Sequence, residues 1–358
     1  MKKMFSYLVV RLAVAWIDLL THKHALLLRE VGLYLREKGF EVFYTSRKMG
    51  TLTQFLSKLS INAEIVGSHG GRALGQKLVH SLERSIELAK LVMKKKPSIA
   101  ISHASPEAAR IAYGLGIPHV CISDSPHAEA VSKLTIPLST HLLSPWVIAR
   151  ERWKPYLVPS CKLVTYRALD PAVWLKSAKH KPHKKPLVVV RPEEYYASYI
   201  SGEGVSERLV TLLSKLYRKR GVRVKVFSRT REQAAKLRKA SEGGIEVIYG
   251  VFDGAQVLSR AWVFIGLGGT MTCEAALLGV PVVALPPRDL TEVEKFLVKR
   301  GLVEVAELAE EAISIVEHVL ENPEEAFEKW HKKSLNLWRE ISVEEFFQRL
   351  YMCVEQAT

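Results

Sequence analysis

Short apolar runs alternate with amphipathic segments along most of the chain, and the alternation occurs in two successive sets. The first set begins with an apolar run at residues 12–19, followed by a helical pattern at 25–38 and another apolar run at 41–45. The second set begins at residues 187–190. Strands that alternate with helices predict parallel sheets with right-handed crossovers. We therefore expect an α/β protein with two Rossmann-like parallel-sheet domains that face a cleft.

A basic segment bounded by prolines separates the two sets, and a chain of 358 residues is long for a single core. The predicted organisation is an N-terminal domain at 1–170, a linker at 171–186, a C-terminal domain at 187–322 and a final helix at 323–358. In open α/β sheets, ligands bind at the carboxyl ends of the strands. The residues that follow each predicted strand are therefore the candidates for function.

A glycine-rich turn in the second set is the first candidate site. An apolar run ends at Ile265, three glycines and Thr270 follow it, and a helical pattern begins directly afterwards. A strand, a glycine turn and a helix start bring free backbone N–H groups and the positive end of a helix dipole to one point, which suits a phosphate or diphosphate. Glu274 lies about one turn into that helix, within reach of a neighbouring group such as a ribose hydroxyl pair. The alternative interpretation is an ordinary turn with a solvated Glu274.

Polar side chains also follow the strands predicted for the first set. Asp18, near the end of the first strand, is placed to orient a hydroxyl group or a histidine. The residues able to act as an acid or a base are His24, His103, Asp124, His127 and Glu129. For each of them the local sequence also allows a solvated or capping role. Their spacing matches no strong metal-ligand pattern, so we expect no metal.

The chain is strongly basic, with a net charge of +15 and a pI near 9.6. A positive field suits nucleic acid, an anionic membrane surface or a phosphorylated small molecule. The charge is dispersed, and no zinc-finger, KH or RRM motif accompanies it, which disfavours nucleic acid. Arg191 and Arg229 follow two strands predicted for the second set, where they are placed to meet a phosphate.

The cysteines and the N-terminal residues give information about the cellular compartment. The four cysteines are scattered without a CxxC pair, which argues for a reducing compartment and against a zinc site or a disulfide framework. The apolar run near the start is interrupted by Arg11 and Asp18, lacks a small-residue cleavage site and is short for a bilayer. We expect a cytoplasmic protein, with peripheral contact at the inner face of the membrane as an option.

Several residues of the glycine turn carry a family resemblance. They are Gly266-Leu267-Gly268-Gly269-Thr270, Glu274, Gly279 and Pro281. The segment resembles the nucleotide-diphosphate-binding segment of glycosyltransferase-B (GT-B) enzymes. It is similar to those of the lipid-intermediate N-acetylglucosaminyltransferase of peptidoglycan synthesis and of the non-hydrolysing UDP-N-acetylglucosamine 2-epimerases. Residues 101–145 resemble the epimerases too, because Ser102-His103-Ala104-Ser105 stands where they carry a His-Gly-Asp run, and residues 129–134 resemble their Glu-Glu-x-Asn-Arg segment.

Over residues 12–310 the chain resembles a mainly archaeal family of unknown function that lies near these enzymes. The shared features are Ile17-Asp18, His24, Gly70-Gly71, Ser102-His103, Ser105-Pro106-Glu107, Asp124, His127-Ala128-Glu129, Arg191-Pro192-Glu193 and Gly268-Gly269-Thr270. The resemblance implies a GT-B fold. It also implies that Gly268, Gly269 and Thr270 hold a diphosphate and that Glu274 holds the ribose.

The function implied is a metal-independent glycosyltransferase that moves a sugar from a nucleotide sugar, expected to be UDP-linked, to an acceptor hydroxyl by direct displacement. Arg191 and Arg229 would meet the phosphate charge, and His24 or His127 would deprotonate the acceptor. No cofactor besides the nucleotide-sugar substrate is expected. The expected partners are that sugar and an acceptor, with a lipid-linked acceptor at a membrane surface as one option.

Two departures keep alternatives open. Ala104-Ser105 stands where the epimerases place an aspartate, so that acid/base group is absent at this position. The Gly-Gly-x-Gly-Gly-His loop of the peptidoglycan transferase is replaced by residues 21–24. The runner-up is an epimerase-like enzyme that eliminates and re-adds the nucleotide diphosphate. A non-catalytic binding protein for nucleic acid or an anionic membrane is the third alternative.

Overall fold

The computed structural model describes residues 13–175, 180–193, 204–241, 243–286 and 289–357. Within these ranges the chain forms two parallel sheets, one of seven strands and one of six. Helices cover both sheets, which confirms the expected α/β class and the expected pair of parallel-sheet domains. Residues 1–12 and linker residues 176–179 lie outside the described ranges.

The first domain contains seven strands and seven α-helices among the described residues. Its strands are β1 (Val14–Leu19), β2 (Glu41–Lys48), β3 (Ala63–Ser68), β4 (Ile99–Ser102), β5 (His119–Ile122), β6 (His141–Pro145) and β7 (Lys162–Tyr166). Its helices are α1 (His22–Glu37), α2 (Leu52–Lys58), α3 (Leu74–Lys95), α4 (Pro106–Gly114), α5 (Glu129–Thr135), α6 (Arg150–Trp153) and α7 (Asp170–Leu175).

The second domain and the final segment follow the same alternation. The strands are β8 (Leu187–Arg191), β9 (Arg223–Phe227), β10 (Glu246–Ile248), β11 (Val263–Gly266), β12 (Val282–Ala284) and β13 (Glu304–Val305). The helices are α8 (Val205–Arg220), α9 (Arg231–Ala240), α10 (Gly254–Ser259), α11 (Thr270–Leu278), α12 (Glu292–Lys299), α13 (Ala309–Glu321), α14 (Pro323–Trp338) and α15 (Val343–Ala357). Within the described ranges, no helix has the length and apolar composition needed to cross a bilayer.

Both sheets reverse their strand order beside their first strand. The orders are β3-β2-β1-β4-β5-β6-β7 and β10-β9-β8-β11-β12-β13. Such a switch point leaves a crevice at the carboxyl ends of the strands. The register places Asp18 of β1 beside Ser102 of β4, and Arg191 of β8 beside Gly266 of β11. Polar residues that are far apart in the sequence therefore reach the same edge of each sheet.

Two expectations about the connecting segments need correction. The linker predicted from residue 171 begins instead with helix α7, which packs against α1 of the first domain and α11 of the second. The helix predicted at 323–358 is two helices, because Ser342 accepts a bond from the backbone N–H of Glu345 and starts α15. Apolar residues of α15, among them Phe346 and Leu350, are buried in the core of the first domain. The end of the chain therefore returns to the domain in which it began.

Candidate functional site

A cleft of about 1110 Å³ lies between the two domains. The segments after β1, β2 and β3, together with α2, form its first-domain wall. The segments after β9, β10 and β11 form its second-domain wall. The cleft therefore lies at the strand ends of both sheets, where open α/β folds bind ligands, and its volume is at the upper end for a small-molecule site.

The glycine turn after β11 faces this cleft, and Gly268, Gly269 and Thr270 line it. The φ angles of Gly268 and Gly269 are 93° and 103°, in the left-handed region that favours glycine. Helix α11 begins at Thr270, and its N-cap Gly269 offers no side-chain acceptor. The N–H of Thr272 bonds to the carbonyl oxygen of Gly269, and the described residues leave the N–H groups of Thr270 and Met271 for solvent or a ligand. A Cβ at position 269 would lie 3.2 Å from Nη2 of Arg229, which shows how closely this arginine approaches the turn.

Two arginines stand beside the glycine turn and line the cleft. Arg191 donates from Nη1 to the carbonyl oxygen of Phe227 at 2.7 Å. Arg229 donates from Nε to the carbonyl oxygen of Pro192 at 3.0 Å, and from Nη2 to that of Gly268 at 3.4 Å. These bonds to the backbone hold both guanidinium groups in place, so their charge is positioned before any ligand arrives.

Glu274 is buried, with 4% of its surface exposed, yet its side chain reaches the cleft. Its Oε1 accepts a hydrogen bond from Nε1 of Trp174 in α7 at 2.8 Å. Burial raises the pKa of Glu274 to about 7, against the opposing effect of the Trp174 bond. The alternative interpretation of Glu274 as a solvated helix residue is therefore wrong. Near neutral pH its carboxyl group is able both to donate and to accept a hydrogen bond.

A cluster of charged side chains lies at the carboxyl ends of the first-domain strands. The Nζ atom of Lys23 is 2.5 Å from Oδ2 of Asp124 and 2.8 Å from Oδ2 of Asp170. Nε2 of His103 is 2.9 Å from the same oxygen of Asp170, and the Tyr166 hydroxyl donates to Oδ1 at 2.6 Å. Burial opposes ionisation of Asp170, but Lys23 and His103 outweigh it and hold the pKa of Asp170 well below its ordinary value. The two carboxylates likewise raise the pKa of Lys23 despite its burial.

The two histidines at this cluster, His24 and His103, differ in which ring nitrogen already takes part in a hydrogen bond. Their ring centroids are 4.7 Å apart. The backbone N–H of Leu20 donates to Nδ1 of His24 at 3.3 Å, so the neutral ring carries its proton on Nε2. Burial, followed by the charges of His103 and Lys23, holds the pKa of His24 well below its ordinary value. His103 uses Nε2 for Asp170, and no described residue bonds to its Nδ1. Nδ1 of His103 is therefore left to accept a hydrogen bond, whereas Nδ1 of His24 already accepts one.

The cluster also meets the distance requirement of a metal site. Ligand atoms of His103, Asp124 and Asp170 lie within 4.8 Å of one another. The ammonium group of Lys23 lies between the two carboxylates, where it supplies the positive charge that a metal ion would otherwise bring. A divalent ion in this position would have to displace Lys23.

Asp18 has a structural role beneath the strand ends. It is fully buried, and Nη2 of Arg84 lies 2.6 Å from its Oδ1. The hydroxyl groups of Thr45 and Ser105 also donate to its carboxylate, each at 2.6 Å. These partners outweigh burial and hold the pKa of Asp18 below its ordinary value. Asp18 therefore joins β1 to β2, α3 and α4 and does not line the cleft.

The family described as "Protein of unknown function (DUF354)" matches residues 13–337 of the chain. The chain belongs to this family. An uncharacterized protein of Methanocaldococcus jannaschii is 28% identical over 316 residues, which cover 84% of this chain and 90% of that protein. The resemblance to a family of unknown function is thereby confirmed.

Solved structures with the same architecture include UDP-GlcNAc 2-epimerases and MurG. The UDP-GlcNAc 2-epimerase of Neisseria meningitidis, bound to UDP-GlcNAc, gives a TM-score of 0.73 at 17% identity, with 96% of this chain and 100% of that one covered. The UDP-GlcNAc 2-epimerase of Methanocaldococcus jannaschii gives 0.64 at 16%, covering 86% and 92%. MurG of Acinetobacter baumannii gives 0.54 at 16%, covering 94% and 99%. The DUF354 protein therefore has the GT-B fold, as predicted.

Two of the predicted acid/base residues of the DUF354 protein are not brought to the cluster. Glu129 begins α5, where its side chain is 66% exposed and pairs with Lys133 at 2.5 Å. His127 lies in the preceding loop with an exposed side chain. Neither residue lines the cleft. They follow β5 in sequence, as Asp124 does, but only Asp124 is close enough to the sheet edge to reach Lys23.

Sequence reasoning missed Lys23, Asp170 and Tyr166, which complete the cluster. Asp170 lies where the pattern predicts the end of the first domain, so it was not associated with any strand end. One usable signal is the pair Asp170-Pro171, because an acidic residue followed by proline is typical of a helix start. The contacts of Asp170 with Lys23 and His103 arise only because α7 packs against α1.

His22 is a further cleft residue that the sequence did not indicate. Its Nε2 lies 3.0 Å from the hydroxyl oxygen of Thr51. Burial lowers the pKa of His22 to about 4, and the charges of Arg191 and Arg229 contribute to the decrease. A first-domain histidine therefore experiences the charge of the second-domain arginines across the cleft.

Proposed function

We propose that this DUF354 protein is a glycosyltransferase that takes a sugar from a UDP-linked donor and transfers it to an acceptor hydroxyl. The observation that carries the proposal is the glycine turn, where the N-terminus of α11 and the guanidinium of Arg229 face the same cleft. Backbone N–H groups and a guanidinium at one point suit a diphosphate. UDP-GlcNAc is the ligand named for two of the solved structures that share the fold.

The neighbouring side chains suit the nucleoside part of such a donor. Glu274 lies within one turn of the diphosphate position and would accept hydrogen bonds from the ribose hydroxyls. A Cβ at Gly254 would lie 3.3 Å from Oε2 of Glu274, so the glycine keeps that carboxyl group accessible. The aromatic rings of Tyr249 and Phe252 line the same wall and would pack against the base.

The transfer itself needs a base on the acceptor side and charge stabilisation on the donor side. The acceptor oxygen bonds to the anomeric carbon as the bond from that carbon to the diphosphate oxygen breaks, and the electron pair leaves with the diphosphate. Arg191 and Arg229 would stabilise the negative charge that develops there. The acceptor proton would pass to Nδ1 of His103, whose imidazolium Asp170 would stabilise through Nε2.

In this proposal the base is His103, and not His24 or His127 as the sequence favoured. His24 already uses Nδ1 to accept the Leu20 N–H, and His127 is exposed in the loop before α5. His103 contacts Asp170, but it is buried and does not itself line the cleft. Lys23 lines the cleft and contacts both Asp124 and Asp170, so it connects the cluster with the space that a substrate would occupy.

A thermal-shift titration with UDP tests the proposal. UDP is expected to raise the melting temperature of the wild type, and Gly269→Asp is expected to abolish the rise, because it places a negative charge where the diphosphate would bind. Gly221→Asp is the matched control, since Gly221 also has a positive φ, of 64°, but lies at the end of α8 away from the cleft. Equal shifts in the wild type and Gly269→Asp would refute the proposed site.

An epimerase is the second candidate, because the cluster brings several acid and base groups together, as an elimination and re-addition requires. Incubation with UDP-N-acetylglucosamine in deuterated water separates the two reactions. An epimerase exchanges the C2 hydrogen with solvent and needs no acceptor. A transferase releases UDP in proportion to added acceptor and leaves that hydrogen in place.

A further inference from the structure

The first-domain wall of the cleft carries only positive formal charge among the described residues. Its charged lining residues are Lys23, Arg47, Lys48, Lys58 and Lys77. No aspartate or glutamate of the first domain lines the cleft within the described ranges. The second-domain wall has equal numbers of basic and acidic side chains. They are Arg191, Arg229 and Arg231, with Glu232, Asp253 and Glu274. The excess positive charge of the cleft therefore lies opposite the glycine turn.

Among the described residues, four of the five cations on this wall have no carboxylate within ion-pair distance. Lys23 is compensated by Asp124 and Asp170. Across the part of the chain that the structure describes, none of the other four lies within 4.0 Å of a carboxylate oxygen. Like charges that converge on a concave surface repel one another, and they attract an anion into the space between them.

Arg47 adds an independent sign of a missing partner. Its Nε is buried and has no hydrogen-bond partner among the described residues. Its only hydrogen bond there is a long contact from Nη2 to the sulfur of Met49 at 4.0 Å. Burial lowers the pKa of Arg47, and the charges of Glu107 and Asp18 oppose this decrease without cancelling it. Buried N–H groups in folded proteins are nearly always bonded to protein or to ordered water. Nη1 of this guanidinium group is not enclosed in the same way, so it is the atom that an acceptor in the cleft would meet.

The loop after β3 is built tightly enough to hold its part of the wall in position. His69, Gly71 and Lys77 line the cleft. A Cβ at Gly70 would lie 2.4 Å from the carbonyl oxygen of Gln76, so the loop folds closely against the first turn of α3. The backbone N–H of Gly71 donates to Nδ1 of His69 at 3.1 Å. These contacts fix the loop beside the ammonium-bearing side chain of Lys77.

We propose that the first-domain wall binds the acceptor through a phosphate ester, so that the second substrate of the proposed transfer is itself an anion. This inference rests on the proposed function for the identity of the second substrate, but the anion site stands on its own geometry. Arg47 and Lys77 are the side chains assigned to the phosphate. The donor diphosphate would occupy the opposite wall, at Arg229 and the glycine turn.

Two sources of a phosphate ester fit this wall. Apolar side chains lie among its cations, namely Leu26, Met49, Phe55 and Leu59. They would contact the hydrocarbon chain of a lipid phosphate, or the apolar face of the sugar ring in a soluble sugar phosphate. Both ligands share the phosphate ester, and they differ in the apolar area that they bury.

Calorimetric titration of the full chain at low salt tests the site. The probes are glucose 1-phosphate, farnesyl phosphate and neutral methyl glucoside, each added with and without saturating UDP. At least one phosphate probe is expected to bind the wild type, and methyl glucoside is not. Arg47→Met and Lys77→Met are each expected to weaken that probe about tenfold or more, the loss of one charge-assisted contact, and to leave UDP affinity unchanged. Lys94→Met is the matched control, because Lys94 is an exposed α3 residue outside the cleft.

The outcomes separate this site from the proposed function. Failure of both phosphate probes to bind, or equal binding to the wild type, Arg47→Met and Lys77→Met, would overturn the inference. A loss of UDP affinity in Arg47→Met equal to the loss of phosphate affinity would also overturn it, since one shared site would then explain both. If the wild type binds a phosphate probe in a way that depends on Arg47 but does not bind UDP, the anion site is supported and the proposed transferase function is refuted. Tighter binding of farnesyl phosphate than of glucose 1-phosphate would identify a lipid acceptor.

Discussion

Replacement of Glu274 by glutamine tests whether burial controls the charge of the carboxyl group in the cleft. Folding moves the pKa of Glu274 from 4.5 to about 7. A shift of about 2.5 units, at about 1.4 kcal/mol per unit, corresponds to about 3 kcal/mol. A carboxyl group whose pKa is raised in the folded protein holds its proton more tightly there than in the unfolded chain. The resulting destabilisation is therefore absent below pH 4.5 and complete above about pH 7.

Glutamine keeps the shape of the side chain and the acceptor for Trp174 but does not ionise. Urea denaturation at several pH values measures the difference in the free energy of unfolding. Wild type and Glu274→Gln are expected to agree near pH 4.5, and the variant is expected to be more stable by up to about 3 kcal/mol at pH 8. Glu325→Gln removes the same charge from an exposed position on α14 and controls for the basic character of the chain. A difference that does not change with pH would refute the reasoning, because packing and not ionisation would then explain it.

The same variant separates stability from ligand binding. Ribose hydroxyls donate hydrogen bonds, so they require an acceptor, and an ionised carboxylate is a stronger acceptor than an amide oxygen. UDP affinity of the wild type is therefore expected to increase as the pH rises through 7, whereas the affinity of Glu274→Gln is expected to be lower and independent of pH over this range. Calorimetry measures both. Unchanged affinity in the variant would remove Glu274 from the binding site while leaving the stability argument intact.

Three further substitutions test the roles assigned to other charged residues, the first two by denaturation at several pH values and the third by melting temperature and turnover. Lys23→Met removes the ammonium group that lies between Asp124 and Asp170, so a loss of about 3 kcal/mol is expected at pH 7, and the loss should decrease as acid protonates Asp170. Asp18→Asn removes the nearer carboxylate of buried Arg84 and leaves Glu107, 3.6 Å from Nη1, so a loss of about 3 kcal/mol is expected above pH 3.8 and a smaller loss below it. Glu129→Gln should leave both the melting temperature and any turnover of a UDP-linked donor unchanged, because the Glu129 side chain is 66% exposed. A pH-independent loss in either of the first two, or any loss of turnover in the third, would contradict the assigned role.

The glycine turn was predictable because its requirements are local. A central parallel strand is covered by helices on both faces, so β11 is apolar along its length before Gly266. Backbone with φ angles of 93° and 103° favours glycine, which is why two glycines stand at 268 and 269. Each of these features depends on neighbours only a few residues away. The sequence therefore indicates the position and the conformation of the turn.

The cluster around Asp170 was not predictable in the same way, because its members come from separate parts of the chain. Lys23 follows β1, His103 and Asp124 follow β4 and β5, and Asp170 begins α7. Each residue taken alone has an ordinary solvated or capping alternative. Conversely, Glu129 matched a catalytic pattern in the sequence and is exposed in the structure. The burial of a side chain and its hydrogen-bond or ion-pair partners decide between these roles, and both depend on tertiary packing.

The alternation of apolar runs and helices by itself determined the two parallel-sheet domains, since each strand and each helix must bury an apolar face whatever lies beyond it. Only the tertiary structure decided which polar strand ends share one cleft, that Asp18 is structural, and which ring nitrogens of His24 and His103 form hydrogen bonds. The physical reason is range: secondary structure follows from contacts within a few residues, whereas the charge state and accessibility of a side chain depend on groups brought close by packing.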